Sequence, residues 1–244
     1  EIASKLGDPS GLVIRQELGR RRPEGAGTEL AARLAFYAFL DRETVESLTE
    51  AVREVDLALD AGVRTAPLLA MRAALANAMS MYDSSRRDTE LDLAETLARE
   101  ALSLDGSNAH AHLVLSWPAC ARGHSALAIE HAETAVRLAP YHPSYLFAAG
   151  MTICASGDWP RGTALIREAH RLHPGMSSHS HAFLALGHLV EDDYDRALAE
   201  ASVLSADGGF VWGPLFRSMA LSGLGFEDEA RAEAEAARAE AEAA

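Results

Sequence analysis

The sequence predicts an all-α fold, a solenoid of antiparallel helix pairs stacked side by side, and three observations predict it. The ends of three apolar-periodic stretches share one shape, Leu104-Asp105-Gly106, Leu138-Ala139-Pro140 and Leu172-His173-Pro174, at intervals of 34 residues. Neither Pro nor Gly continues a helix comfortably, so these mark helix ends. Small residues seven apart precede each end in the same steps: Ala94 and Ala101, Ala128 and Ala135, Gly162 and Ala169. Two helical turns bring such positions to one face, where a second helix can cross closely. Turns at Arg122-Gly123-His124, Ser156-Gly157-Asp158-Trp159, Asp192-Asp193-Tyr194 and Leu224-Gly225-Phe226 separate apolar-periodic stretches, with Ala128, Gly162, Ala197 and Ala230 following them. Gly supplies a positive φ there, and the aromatic beyond it is expected to pack beneath the turn. A fixed period of this length marks a repeat array.

The elements follow in order. Residues 1–22 read as a helix broken at Asp8-Pro9-Ser10-Gly11, and residues 20–27, rich in turn formers, as a linker. Thr28 is placed to cap a helix to about residue 41. A second helix is expected over residues 42–61, with Leu48, Val52, Val55 and Leu59 on one face. Helix 65–80 opens a second divergent pair, whose turn is replaced by the insert Tyr82-Asp83-Ser84-Ser85-Arg86-Arg87-Asp88 before a partner over 89–104. Four regular pairs fill residues 107–243. The last helix, from Glu227, is rich in Ala, Glu and Arg and reads as a solvated cap. Gly208-Gly209-Phe210-Val211-Trp212 has strand-like content but stands where a helix-to-helix turn is required, so no strand is predicted. The organisation is an N-terminal helix and linker (1–27), two divergent pairs (28–106), and regular repeats with a capping helix (107–244).

From about residue 88 to 237 the small residues, Gly turns and closing Pro resemble the tetratricopeptide repeat. His112 and Leu146 stand where that family has an early aromatic, and Ser116 replaces the small residue that Gly150 keeps. The resemblance implies a tetratricopeptide-type right-handed superhelix with helix A of each pair on its concave side. The whole chain also resembles a bacterial arrangement in which a class III nucleotide cyclase or winged-helix DNA-binding domain precedes a TolB-like segment and repeats. The residues that carry this are Glu1-Ile2-Ala3-Ser4-Lys5-Leu6, Ile14-Arg15-Gln16-Glu17-Leu18, the arginine run, Ala35-Phe36-Tyr37-Ala38-Phe39-Leu40, the insert near Tyr82, and Phe210-Val211-Trp212-Gly213-Pro214-Leu215. It implies a C-terminal sensory or interaction module and transfers no catalytic residue. A chain that begins with Glu1 rather than Met is expected to be part of a longer protein.

With helix A inward, the register of small residues points His110, Leu113, Trp117 and Cys120 into the groove from the third pair, and Ser144, Phe147, Met151 and Cys154 from the fourth. The fifth and sixth contribute His179, Leu186, Trp212, Leu215 and Met219. Such a groove is apolar, sulfur-containing and short of basic residues. Flexible Met and rigid Trp suit a peptide laid in a groove. The same pattern also describes apolar surface buried between repeats, and both readings stand. One subtype of these repeats grips a C-terminal carboxylate with Lys and Arg, and the groove positions here carry no such cluster.

Other chemistry finds little support. A net charge of −14 repels nucleic acid and anionic membrane surfaces, and Arg20-Arg21-Arg22 is a short basic run in an acidic chain. No run of 18 apolar residues exists to span a bilayer. His170 and His173 share a helical face, whereas His110/His112 and His179/His181 diverge, and too few ligands converge for a metal. Cys120 and Cys154 occupy equivalent places in adjacent units; packed helices lie ~8–10 Å apart, beyond the ~7 Å between bridged Cα atoms, so free thiols are expected. Asp192-Asp193 and Glu227-Asp228-Glu229 fall at turns and helix starts, where they complement the helix dipole. No catalytic fingerprint is present. The sequence therefore reads as a cytoplasmic interaction module without metal or cofactor, binding a protein or peptide, with self-association into a homodimer as the alternative and a helical-repeat enzyme as a weak third.

Overall fold

The computed structural model describes residues 27–42, 44–174, 179–206 and 212–243, with the backbone alone at His179, Ser205, Ala206 and Ala243. Twelve α-helices occupy them: α1 (Glu29–Arg42), α2 (Val45–Asp60), α3 (Ala66–Tyr82), α4 (Arg87–Leu104), α5 (Ala109–Ala121), α6 (Ser125–Leu138), α7 (Pro143–Ala155), α8 (Trp159–Leu172), α9 (His179–Val190), α10 (Tyr194–Ala206), α11 (Trp212–Gly223) and α12 (Glu227–Ala243). Among the described residues there is no strand. The helix and linker expected over residues 1–26 and the strand-like run at 208–211 lie outside the described residues. No described helix is long and apolar enough to cross a membrane.

Local chemistry sets the boundaries. The Thr28 Oγ1 accepts from the Ala31 amide at 3.2 Å. Thr44 caps α2 through a reciprocal arrangement with Ser47, which starts the helix three residues later than periodicity suggested. Thr65, Asn108 and Asp158 cap α3, α5 and α8 in the same sense. Asp83 caps one turn of 3₁₀ helix, Ser84–Arg86, so much of the insert is ordered and α4 begins at Arg87.

Consecutive helices pair as α1·α2, α3·α4, α5·α6, α7·α8, α9·α10 and α11·α12, and the pairs stack in chain order. The first helices of successive pairs touch one another, α1 to α3 and onward to α11, whereas the second helices contact the next pair's first helix. The first helices therefore line the inside of the curved stack. The rows of small residues form its seams: Ala94, Ala101, Ala128, Ala135, Ala169 and Ala197 are fully buried. Gly150 and Gly162 face each other across α7 and α8. A Cβ on Gly162 would stand 2.3 Å from the Cys154 Sγ and 2.6 Å from the Gly150 carbonyl oxygen.

The turn glycines Gly123, Gly157 and Gly225 have φ of 79°, 100° and 85°, and Asp192 takes the equivalent place at 57°. The aromatics beyond these turns do not all pack beneath them. Tyr194 covers Gly223 so closely that a Cβ there would lie 2.4 Å from its ring, whereas at Gly187 it is the Thr163 methyl that a Cβ would meet at 2.6 Å, with the Trp159 ring in ordinary contact at 3.8 Å. Each reaches the next pair's first helix. His124 and Phe226 are exposed. In the last pair Glu227 holds the position of Trp159 and Tyr194, and α12 buries Ala230 and Ala237 while most of its other described side chains are exposed.

Candidate functional site

The inner face of the first four pairs closes into a cavity of about 300 Å³. Helix α1 supplies Phe36, Tyr37, Phe39 and Leu40; α3 supplies Met71, Ala74, Asn77, Ala78 and Met81; α5 supplies His110, Leu113, Val114 and Trp117; α7 supplies Ser144, Tyr145, Ala148, Met151 and Thr152, with His142 just before it. Spacings of three and four residues on each helix put these side chains on one stripe. None of the lining residues is Lys, Arg, Asp or Glu.

Aromatic rings run along one wall. Phe36 lies 5.6 Å from His110, His110 stacks on Tyr145 at 5.5 Å, and Tyr145 stacks on His142 at 3.9 Å. Burial pushes His110 down to about 4, with the neighbouring His142 adding to the effect. Burial likewise raises the Tyr145 phenol well above its usual range, with Tyr37 contributing. His110 and Tyr145 are therefore uncharged near pH 7.

One polar contact in the wall has a specific cause. Pro118 sits inside α5 and has no N–H, so the Val114 carbonyl four residues earlier loses its helical donor. The Asn77 Nδ2 of α3 donates to that carbonyl at 2.9 Å. Buried backbone acceptors are rarely left unpaired, and Asn77 supplies across the pair boundary what Pro118 removed. The bond also fixes which way the Asn77 amide points. Nearby, the Ser116 hydroxyl is satisfied by the Leu113 carbonyl at 2.6 Å and by the Thr152 hydroxyl at 3.2 Å, which lets Ser occupy a small-residue position.

The candidate groove residues divide. His110, Leu113, Trp117, Ser144 and Met151 line the cavity. Cys120 is partly exposed with its Sγ 4.0 Å from the Thr152 carbonyl, outside the cavity. Cys154 is a correction: it is 1% exposed and fills the space left by Gly162, so it belongs to the seam between α7 and α8. Burial pushes its thiol up to about 12, and both cysteines are free. Phe147 is partly exposed and outside the cavity; its ring meets Phe183 edge-on at 6.4 Å and packs against the cluster of Cys154, Ile166 and Leu184. Leu186 packs against the cluster of Ala185, Ala201, Leu204 and Phe216. Trp212 and Met219 stand on α11, 44% and 46% exposed and outside the cavity, beside the exposed Leu215. The side chain of His179 lies outside the described residues.

The register of small residues does not reveal the share of α1 and α3 in the cavity. The aromatic run Phe36-Tyr37 and the Met71/Met81 pair were the available signal. The histidines form contacts of another kind. His112 and His131 bring their Nδ1 atoms to 3.3 Å, His170 Nε2 meets the Ser180 hydroxyl at 2.5 Å, and His181 Nδ1 meets Glu200 at 2.6 Å. No group of three or more His, Cys, Asp or Glu among the described residues could hold a metal ion.

No family model and no curated protein matches the chain. Solved structures do. The anaphase-promoting complex assembly Cut9–Hcn1 matches with a TM-score of 0.69 at 17% identity, over 98% of this chain and 44% of that one. PilF of Pseudomonas aeruginosa matches with a TM-score of 0.58 at 16% identity, over 84% and 89%. YrrB, described as a tetratricopeptide repeat protein with an unusual peptide-binding site, matches with a TM-score of 0.53 at 16% identity, over 78% and 93%. At such identities the likeness is one of fold, and the fold is the tetratricopeptide-type helical-repeat solenoid.

Proposed function

We propose that the protein is a non-enzymatic interaction module that holds an apolar stretch of polypeptide in the groove walled by α1, α3, α5 and α7. The observation that carries this reading is the wall itself: the first helices of four consecutive pairs present Phe, Met, Leu and Trp side chains and no charge. Large aromatic and Met side chains make effective anchors for an apolar peptide face. YrrB, of the same fold, is described as having a peptide-binding site, which supports the reading. On the resemblance of the N-terminal segment and of residues 35–40, the module is the C-terminal part of a bacterial cytoplasmic signalling protein. Its divergent part, residues 28–106, and its regular part, residues 107–244, share the groove, which receives a peptide or the protein's own upstream domain. Nucleic acid, membrane and cofactor have no part in this function.

A second reading is self-association, favoured by the exposed stripe Trp212, Leu215 and Met219 on α11. The test uses peptides selected from a display library on the immobilised protein, then labelled and titrated in solution. Trp117→Ala is expected to weaken binding about 30-fold, as a hot-spot loss of ~2 kcal/mol implies, while Trp212→Ala leaves it unchanged. Equal binding by wild type and Trp117→Ala would remove the groove as the site. Light scattering that reports a monomer across the concentration range would eliminate self-association.

A further inference from the structure

We propose that the groove's first occupant is the chain's own N-terminal segment, residues 11–18, so that an external partner binds by displacing it. This rests on the reading of the groove as a peptide site. Below the cavity a mouth of about 310 Å³ opens at the N-terminal ends of the first helices. It shares Tyr37, Met71, His110 and Tyr145 with the cavity and adds Arg33 and Asp105. The chain enters α1 at this same edge: Gly27, with φ of 82°, lies against the Leu57 carbonyl. Arg33 of the mouth is six residues further, ~9 Å along the helix axis.

Residues 1–26 lie outside the described residues and lead into this point. Within them the run Gly11-Leu12-Val13-Ile14 is uncharged and aliphatic, matching a wall without charge, and Leu18 follows four residues after Ile14. The intervening Arg15 and Glu17 meet a mouth whose charged groups are Asp105 and Arg33, the latter already paired with Glu29 at 2.5 Å, so Arg15 toward Asp105 is the match that counts. The chain between Ile14 and Gly27 can extend to ~40 Å, which is ample for the short distance to the mouth. A tethered segment acts at an effective concentration on the order of 1 mM, so even a weak intrinsic affinity fills the groove and lowers the apparent affinity of any free competitor by the fraction left open.

The experiment uses the full chain and the neutral apolar dye Nile red. Leu12→Asp with Ile14→Asp is expected to raise dye affinity about tenfold, the gain for a segment whose intrinsic Kd is a tenth of its effective concentration. Adding Trp117→Ala should abolish the gain. Equal dye affinity in wild type and the double variant overturns the proposal. So does a lower melting temperature with unchanged dye affinity, which would assign the segment to covering the outer face of α1, where Leu30 is 58% exposed. A gain that tracks dissociation of a dimer in light scattering also overturns it, because the segment would then fill a second copy's groove. Failure of the groove reading looks different: the double variant gains dye, and Trp117→Ala leaves that gain intact.

Discussion

The first four helix pairs and the last two share a register of small residues and present different inner faces. Along α1, α3, α5 and α7 the inner stripe closes into an uncharged cavity with stacked rings. On α11 the inner stripe is an open row of Trp212, Leu215 and Met219, and each of the last two pairs is bridged internally by a polar contact, His181 of α9 to Glu200 of α10 and Arg217 of α11 to Glu233 of α12. The contrast extends to equivalent places. His112 and His131 bridge α5 and α6 at a separation of 19 residues, and His181 and Glu200 bridge α9 and α10 at the same separation. A contact between two imidazoles in one repeat is a contact between imidazole and carboxylate in another. Stacking depends on the Ala and Gly rows, so the inner face and these lateral positions are free to differ from pair to pair.

That contrast can be broken most severely at the seams. Gly162→Val in α8 should cost ~3 kcal/mol, because the new side chain meets the Gly150 carbonyl and the Cys154 thiol with no room to yield. Ala230→Val in α12, where most of the described side chains are exposed, should cost less than half as much, and urea midpoints compare the two. Acid comes next. His110 is held at about 4 against 6.5 unfolded, so its contribution is fully present above pH 6.5 and is lost as pH falls toward 4. The loss amounts to ~3 kcal/mol, and His110→Phe should flatten that part of the urea-midpoint profile between pH 7 and 4. His131 and His170 are displaced in the same direction, mainly by burial, so the difference between variant and wild type is the quantity to read.

Asn77→Leu should cost ~2 kcal/mol by stranding the Val114 carbonyl. In a Pro118→Ala background, where the helical N–H returns, the same change should cost less than half of that, a coupling a double-mutant cycle reads directly. The smallest effect is expected in the polar seam at the other end. Arg217→Met should change stability by no more than ~1 kcal/mol, since apolar replacement of a largely buried ion pair offsets its desolvation. A large loss there would mean that the last pairs depend on their charges and would erase the distinction drawn above.

The stacking was legible in the sequence and the cavity only in part, for physical reasons. Helix ends, positive-φ turns and the small-residue rows are local or periodic, and they appear at the positions their spacing indicates. Asp192 shows that the turn requires the backbone conformation rather than Gly itself. Cys120 and Cys154 were equivalent by spacing, yet Gly162 lets α8 approach so closely that only Cys154 is enclosed. The divergent pairs hid their share of the cavity because the Tyr82 insert interrupts the register that would have pointed Met71 and Asn77 inward. Pro118 announced that Val114 needs a donor, but a donor from another pair is not visible in the chain order. Tyr194 could have been assigned from Gly223, which clears space for its ring one pair later, and Thr163 from Gly187 in the same manner.

Contact that runs chiefly between neighbouring pairs, with Phe36 of the first reaching His110 of the third, has a mechanical meaning. Among the described residues no extensive helix contact ties the first pair to the last, so tension applied to the two ends is borne in series by the seams. Extension in a force experiment should proceed as a train of separate yields, one pair peeling from the stack at a time. The cavity needs α1, α3, α5 and α7 side by side, so the first yield at the amino-terminal end already opens its wall. An occupant would then be released by stretch long before the chain as a whole gives way.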